Sequence, residues 1–236
     1  MKILAADTAT SSLSVAVMDA GSLCTEITQS TGETHARHLM TLVDTALGLS
    51  GMSVADLDAF AVTIGPGTFT GLRIGLSSTQ GMAAATSKPV AGISSLDVLA
   101  AQAAPSCQAS GSLVCAMLDA RRQEVYAGLF RADGQAVESV SAFRVIPPAT
   151  LAEEIEEPCL MVGSGALLYQ DLLREKLAER FSLAAPGAHT IRGETVARLG
   201  MAVLERDSVP VDRVLKPLYL RKSDAEINAS KKAVKG

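Results

Sequence analysis

The order of predicted strands and helices constrains this fold most, because the same order occurs twice along the chain. Each half opens with three strands and then alternates helices with strands. In the first half we predict strands at 2–6, 13–18, 24–28, 57–64 and 89–92, and helices at 35–49, 70–85 and 95–103. In the second half we predict strands at 113–118, 124–130, 136–143 and 159–162, and helices at 149–155, 167–180 and 194–205. The sequence therefore predicts an internally duplicated α/β fold.

A glycine-rich stretch, residues 65–75 (GPGTFTGLRIG), follows an apolar run and opens a helix. Three glycines and a proline lie within its first seven residues, which predicts a tight connection whose backbone passes close to another group. That group could be an anion, because a helix N-terminus offers free N–H groups and the positive end of the helix dipole. It could equally be another piece of protein.

Small residues dominate one stripe of the helix that follows. The stripe contains Gly71, Gly75, Ser78, Met82 and Ala85, which recur at helical spacing. Glycine in a helix interior costs about 1 kcal/mol against alanine, so such residues need a packing reason. Two interpretations stay open: the stripe contacts another chain, or the helix lies at the centre of one large core.

Composition limits the class of protein. The 236 residues are 48% hydrophobic and 19% charged, with a mean hydropathy of +0.27, which favours a buried interface. No run is apolar enough for a membrane span and the N-terminus does not resemble a secretory signal, so we expect a cytoplasmic protein without membrane contact. The four cysteines form no CxxC pair, which favours free thiols.

Charge is unevenly distributed. The net charge is −4, yet the chain from residue 216 onward carries six basic and two acidic residues, so residues 1–215 carry −8. A body of that sign is not expected to bind polyanions by itself. We expect the basic tail, residues 223–236, to be disordered.

The duplicated plan, with an acid after the first strand of each half, resembles the superfamily of actin, sugar kinases and heat-shock chaperone ATPases (the ASKHA fold), built from two βββαβα-type subdomains. In detail the chain resembles the bacterial TsaB (YeaZ) family, whose members are glycopeptidase-like paralogues of Gcp/TsaD. Five segments carry this resemblance: 33–39 (ETHARHL), 65–75, 89–96 (PVAGISSL), 118–126 (LDARRQEVY) and 217–221 (PLYLR).

The resemblance implies two subdomains and a tail. Residues 1–104 would form the N-terminal actin-like subdomain that carries the partner-binding helices. Residues 111–222 would form a degenerate actin-like subdomain, after a small and polar junction at 104–111. The tail at 223–236 would follow.

The resemblance further implies a non-catalytic dimerisation and scaffold subunit of a complex that makes threonylcarbamoyladenosine beside the anticodon of tRNA. Its partners would be the catalytic TsaD-like paralogue, which it would activate, and a TsaE-like ATPase; tRNA would be reached only through the complex. Alone, the chain would form a homodimer. We expect the partner interface at His35, Leu39, Met40, Gly71, Arg73, Gly75, Ser78, Met82 and Ala85.

A metal site is not expected. TsaD-like proteins carry a His-x-x-x-His pair where this chain has Ser95 and Leu99, and leucine cannot ligate a metal. His35 and His38 could hold a metal in principle, but the sequence supplies no evident third ligand. We therefore expect no catalytic residues and no activity of its own. A glycopeptidase-like metalloprotease is one alternative.

A nucleotide site is the second alternative. ATP or ADP would bind weakly, or at the contact with the TsaD-like subunit, rather than as a tight cofactor. The residues that resemble the superfamily's phosphate, magnesium and adenosine positions are Asp7, Thr8, Thr10, Asp119, Gly163, Ser164 and Gly165. A tightly bound nucleotide would indicate a stand-alone ATP-dependent enzyme.

Overall fold

The computed structural model describes residues 1–30, 35–107, 109–134 and 136–221; the predicted tail at 223–236 lies outside them. The described strands form two sheets. Sheet 1 has the order β3-β2-β1-β4-β5. Its strands are β1 (Lys2–Asp7), β2 (Ser12–Asp19), β3 (Ser22–Ser30), β4 (Ala59–Gly65) and β5 (Val90–Ser94). β1 pairs antiparallel with β2 and parallel with β4, as expected when a meander is followed by helical crossovers.

Sheet 2 repeats this plan with the order β11-β10-β6-β7-β8, and β9 pairs with β7. Its strands are β6 (Ser112–Asp119), β7 (Val125–Asp133), β8 (Ala136–Ser139), β9 (Arg144–Ile146), β10 (Cys159–Val162) and β11 (Phe181–Leu183). The predicted strand 136–143 is wrong in detail, because β8 ends at Ser139 and β9 makes a separate pairing with β7. β11 is absent from the prediction.

The helices cover both sheets. They are α1 (His35–Leu49), α2 (Phe69–Thr86), α3 (Ser95–Ala103), α4 (Pro148–Glu153), α5 (Ser164–Leu168), α6 (Gln170–Leu177) and α7 (Gly193–Arg206). The predicted helix 167–180 is broken at Tyr169, whose backbone (φ −107°, ψ 21°) is not helical. None of the described helices is long and apolar enough to cross a membrane.

Three hydrophobic clusters fill the spaces between these layers. One joins α1 and α2 to the outer face of sheet 1, and one joins α4 and α6 to the far face of sheet 2. The largest lies between the sheets and contains residues of α3 and α7. The chain therefore has the layered α/β architecture of an actin-like fold.

Helix α7 packs against sheet 1, although the sequence placed it in the subdomain of residues 111–222. Its N-terminus is held by sheet 1: the Gly193 N–H donates to Ser14 Oγ (2.8 Å) and the Glu194 N–H donates to Glu26 Oε1 (3.0 Å). These acceptors satisfy backbone donors that a helix start leaves free. The contacts of α7 therefore cross the predicted domain division.

Candidate functional site: the cleft between the sheets

A cleft of about 730 Å³ opens between the two halves of the molecule. Turns and loops at one end of the sheets line it. They are the β1–β2 turn, the loop before α2, the β6–β7 turn, the start of α5 and the C-terminal end of the described chain. A crevice of this size at such an edge is the usual position of a ligand site in α/β folds.

The glycine loop, residues 65–75, packs on the β1–β2 turn of the same chain. The Thr68 N–H donates to the Ala9 carbonyl oxygen (2.7 Å). A Cβ atom added at Gly67 would lie 2.3 Å from that oxygen, and one at Gly71 would lie 2.0 Å from the Thr8 carbonyl oxygen. The close backbone approach predicted from the glycines is therefore made to the chain itself.

This packing changes the predicted partner interface. Gly71 and Gly75 are buried against Thr8, and Leu39 is 1% exposed within the core. The surface available to a partner therefore excludes these three residues. Of the other predicted interface residues, three are exposed and three are half-buried. The exposed ones are Met40, Arg73 and Ala85, and the half-buried ones are His35, Ser78 and Met82.

Asp7 lies behind the β1–β2 turn rather than in the cleft. Its Oδ1 accepts hydrogen bonds from Thr63 Oγ1 (2.6 Å) and the Ala9 N–H (3.1 Å), while its Oδ2 has no hydrogen-bond partner among the described residues. Burial raises the pKa of Asp7 to about 6, and the two hydrogen bonds and the His35 charge oppose that rise. Thr8 is also fully buried, and its hydroxyl donates to the Gly71 carbonyl oxygen (2.7 Å).

His35 links α1 to the same turn. Its Nε2 lies 2.7 Å from the carbonyl oxygen of Thr10, so Nε2 carries the proton. Thr10 lines the cleft, and its Oγ1 lies 2.9 Å from Ser12 Oγ. Within the described ranges, no three His, Cys, Asp or Glu side chains form a group that could hold a metal. At the position of the metal-binding pair, Ser95 and Leu99 are fully buried in the core.

Of the residues of the second half that were predicted for a nucleotide site, two line the cleft and two are packed inside the chain. Asp119 and Ser164 line the cleft, and the Asp119 N–H donates to Ser164 Oγ (3.2 Å). Gly163 and Gly165 instead pack against β6 and β7. A Cβ atom at Gly163 would lie 2.1 Å from the Met117 carbonyl oxygen, and one at Gly165 would lie 3.0 Å from Val125 Cγ1. These two glycines therefore do not form an open adenosine loop.

His189 was a lone histidine in the sequence, and the structure places it at the cleft. Its Nδ1 accepts from the Gly163 N–H (3.1 Å), and its Nε2 donates to the Ala184 carbonyl oxygen (3.0 Å). The side chain is 7% exposed. Both ring nitrogens are therefore engaged in holding the strand-to-helix junction.

The β6–β7 connection, residues 119–124, is called here the arginine turn. Its three central residues have left-handed backbones, with φ of +60° at Arg121, +55° at Arg122 and +61° at Gln123. Each such residue costs about 1 kcal/mol or more when it is not glycine. The Arg121 N–H donates to Asp119 Oδ1 (2.8 Å), and both arginine side chains are exposed at the cleft.

The last described residues, 215–221, form a strap along the cleft. The Leu218 N–H donates to the Ile64 carbonyl oxygen (2.7 Å), and Tyr219 stacks on Phe69 with ring centroids 4.7 Å apart. Arg221 donates to the Ala120 carbonyl oxygen (2.7 Å) and pairs with Glu124. The strap therefore joins the glycine loop to the arginine turn.

Sequence reasoning did not identify the strap as part of a site. The only signal was the segment 217–221, which was used for the family resemblance. Its contacts are made to residues about a hundred positions away or more, such as Arg73, whose Nε donates to Tyr219 Oη (3.2 Å). Local patterns do not contain such pairings.

Comparison with known proteins identifies close relatives. The family described as "TsaD: tRNA N6-adenosine threonylcarbamoyltransferase" matches residues 25–229. The "tRNA threonylcarbamoyladenosine biosynthesis protein TsaB" of Bacillus subtilis is 28% identical over 229 residues, covering 96% of each chain. The protein of the same description from Escherichia coli is 34% identical over 181 residues, covering 74% of this chain and 76% of that protein.

Solved structures agree with this assignment. YeaZ from Pseudomonas aeruginosa superimposes with a TM-score of 0.77 at 28% identity, covering 93% of this chain and 99% of that one. Component A of the (R)-2-hydroxyglutaryl-CoA dehydratase of Acidaminococcus fermentans has a TM-score of 0.51 at 11% identity, covering 86% of this chain and 98% of that one. The second likeness shows the fold alone.

Proposed function

The chain belongs to the TsaB (YeaZ) family of TsaD-related proteins, and we propose that it is the non-catalytic scaffold subunit of a complex that makes threonylcarbamoyladenosine in tRNA. A role in this tRNA modification follows from the relatives. The scaffold role goes further, and the match to TsaB proteins along almost the whole chain is the observation that carries it. In this proposal a TsaD-type subunit performs the transfer in the cytoplasm and a TsaE-type ATPase assists it.

The outer face of α1 and α2 supports binding to the TsaD-type subunit. Both helices cover the same side of sheet 1, and each keeps exposed residues on its outer surface, among them Met40 of α1 and Ala85 of α2. Met40 is 44% exposed there, and Met82 is half-buried. An exposed apolar surface on a protein of low charge favours contact with another subunit, or with a second copy of the chain when that subunit is absent.

Charged substitutions on this face test the proposal. We expect Met40→Asp combined with Ala85→Glu to abolish co-purification with the TsaD-type subunit and to stop formation of the modified nucleoside in a reconstituted reaction. Both positions are exposed, so the fold is expected to persist. The matched control is Leu168→Asp, which is 59% exposed on the other half of the molecule and should bind normally. Normal binding by the double variant would refute this surface.

Binding of ATP or ADP is a weaker proposal. The unpaired Oδ2 of Asp7 favours it, because a buried polar atom without a partner suits a ligand. Against it, Asp7 and Thr8 do not reach the cleft, and the space beside Gly163 and Gly165 is occupied by other atoms of the chain. The residues present do not fit the superfamily's nucleotide arrangement, and we derive no chemical step from it.

A further inference from the structure

Arg73 is exposed on α2 and is held there by two aromatic side chains. Its guanidinium carbon lies 3.8 Å from the centroid of the Phe69 ring, and its Nε donates to Tyr219 Oη (3.2 Å). Phe69 and Tyr219 are themselves stacked, with ring centroids 4.7 Å apart. The guanidinium group is therefore supported on one side by a ring and fixed in direction by a hydroxyl group.

The strap fixes the position of the hydroxyl group that orients Arg73. On one side of Tyr219, the Leu218 N–H donates to the Ile64 carbonyl oxygen (2.7 Å). On the other side, Arg221 donates to the Ala120 carbonyl oxygen (2.7 Å). Because the chain is anchored before and after Tyr219, the ring is in place against α2 before a partner binds. A side chain that is already placed loses less conformational entropy when it binds.

The Nη groups of Arg73 keep hydrogen-bonding capacity for another molecule. A guanidinium group has five N–H donors, and the contact with Tyr219 uses the one on Nε. Among the residues that the structure describes, no aspartate or glutamate forms an ion pair with Arg73. Arg73 is also the only charged residue of α2, so this helix presents no acid that would repel a carboxylate. A fixed fork of donors suits a carboxylate, which it can bind through two parallel hydrogen bonds.

The position of Arg73 favours a docking partner over a small ligand in the cleft. The two aromatic side chains line the cleft, whereas Arg73 does not. Further along α2 the same exposed stripe continues with Ser77, Gly81 and Ala84, which recur at helical spacing. These small residues let an element of another protein come close enough to reach a guanidinium group that lies against a ring.

We propose that Arg73 is a pre-oriented anchor for the TsaD-type subunit and binds a carboxylate on the surface of that subunit, with Tyr219 of the strap as its positioning residue. The proposal rests on the proposed function, in which the outer face of α1 and α2 contacts that subunit. It adds the chemistry of the contact, because α2 supplies the cation and the partner supplies the acid. Charge complementarity of this kind fixes the register of an interface and the choice of partner.

A second copy of this chain is the less suitable occupant. The only acidic residue of α1 and α2 is Asp44, so two copies that face each other through these helices could pair Arg73 only with that residue. Residues 1–215 carry a net charge of −8, and two bodies of like charge repel each other. A cross-link from position 73 distinguishes the two occupants, since it identifies the carboxyl group that lies there.

The affinity of the full chain for the TsaD-type subunit, measured by isothermal titration calorimetry without and with tRNA, tests the anchor. We expect Arg73→Gln to weaken binding at least about thirtyfold and Arg73→Lys about tenfold, because lysine keeps the charge but loses the planar fork. The matched controls are Arg174→Gln and Arg174→Lys, which should bind normally. Arg174 is also exposed and lies 5.5 Å from the centroid of the Phe181 ring, but it belongs to α6 in the other half.

The positioning role of Tyr219 is tested by Tyr219→Phe, which keeps the ring and removes the oxygen that accepts from Arg73 Nε. We expect about threefold weaker binding in the parent chain and no further loss in the Arg73→Gln background. A merely structural role would lower the affinity equally in both backgrounds. Thermal unfolding of each variant shows whether it is folded.

Carbodiimide cross-linking tests the carboxylate directly. The reagent joins a primary amine to an adjacent carboxyl group as an amide, without a spacer. We expect the amine introduced by Arg73→Lys to be joined to an aspartate or glutamate of the TsaD-type subunit, identified by mass spectrometry of the linked peptides. The amine introduced by Arg174→Lys should give no such product.

Four outcomes would overturn the proposal. They are unchanged binding by Arg73→Gln, an equal loss with Arg174→Gln, a loss of affinity that occurs only when tRNA is present, and a cross-link from position 73 to Asp44 of a second copy instead of to the TsaD-type subunit. The proposed function is read separately. If Met40→Asp with Ala85→Glu abolishes co-purification while Arg73→Gln binds normally, the docking surface stands and only the anchor is refuted.

Discussion

The two turns that follow the first strand of each half occupy equivalent places in the duplicated fold but have opposite environments. The β1–β2 turn is covered by the glycine loop, and Asp7 and Thr8 are fully buried there. The arginine turn is exposed and strained, and it is held from outside by the strap. Duplication of the fold therefore preserves the positions of the backbone without preserving the environment of the side chains at those positions.

The glycine loop explains why the first turn is closed. Its glycines let the backbone of α2 approach the turn so closely that the Thr8 hydroxyl reaches the Gly71 carbonyl oxygen. In the second half the equivalent connection follows β10, and its glycines at 163 and 165 pack against Met117 and Val125. The arginine turn stays exposed beside it. The turn of the first half is thus packed inside the chain, whereas the turn of the second half stays exposed.

The largest expected effect is at Gly71. A methyl group there would lie 2.0 Å from the Thr8 carbonyl oxygen, which is backbone and cannot move aside. We expect Gly71→Ala to lower the free energy of unfolding by about 3 kcal/mol or more, measured by urea denaturation. The control is Gly81→Ala in the same helix, where no atom lies within 4 Å of the added carbon. It should raise stability by about 1 kcal/mol.

If both substitutions had similar small effects, the glycine loop would not be the closed contact described here. Gly71 and Gly75 would then be available on the surface of α2 for contact with another chain. The pair of variants therefore decides between packing within the chain and packing between chains at this stripe.

The second prediction concerns the buried carboxyl of Asp7. Because the pKa of Asp7 in the folded chain is raised from 3.8 to about 6, its contribution to stability is fully present below pH 3.8 and is lost as the pH rises through 6. The ionised form costs about 3 kcal/mol at neutral pH. We expect the stability of Asp7→Asn relative to the parent chain to rise by an amount of this order between about pH 4 and pH 7.

The comparison between the two proteins isolates Asp7. Asp97, whose pKa burial also raises to about 6, is present in both and cancels in the difference. Asp119→Asn, at the equivalent but exposed turn, is the matched variant. Equal pH dependence in the Asp7 variant and the parent chain would show that the first turn is open to water, and the contrast between the turns would fail.

Much of the fold was available from local patterns. The first half was predicted element by element, because its strands and helices alternate with clear turn residues such as those at 7–10 and 19–22. The family resemblance is confirmed by the relatives. The break at Tyr169 and the short β11 were missed, since a half-turn of irregular backbone and a three-residue edge strand leave little periodicity.

The site was harder to predict because it depends on pairings between distant segments. The sequence marked 65–75, 118–126 and 217–221 as distinctive without showing that they meet at one cleft. The stripe that contains Gly71 and Gly75 left two interpretations open, contact with another chain or a place in one core, and the family resemblance placed both glycines at the partner interface. Spacing along a helix shows which residues share a face but not what covers that face. Only the long-range contact to Thr8 resolves that choice.

The smallest expected effect is at Gln123, the last of the three left-handed residues. Glycine adopts φ near +61° without the steric penalty of a Cβ atom, so we expect Gln123→Gly to raise the free energy of unfolding by about 0.5 to 1 kcal/mol. The control is Gln80→Gly within α2, which should destabilise the chain because it removes the acceptor of the Leu215 N–H and weakens the helix. A loss of stability with Gln123→Gly would mean that the turn is not strained. A gain in stability would show that the left-handed backbone at this position costs the chain free energy.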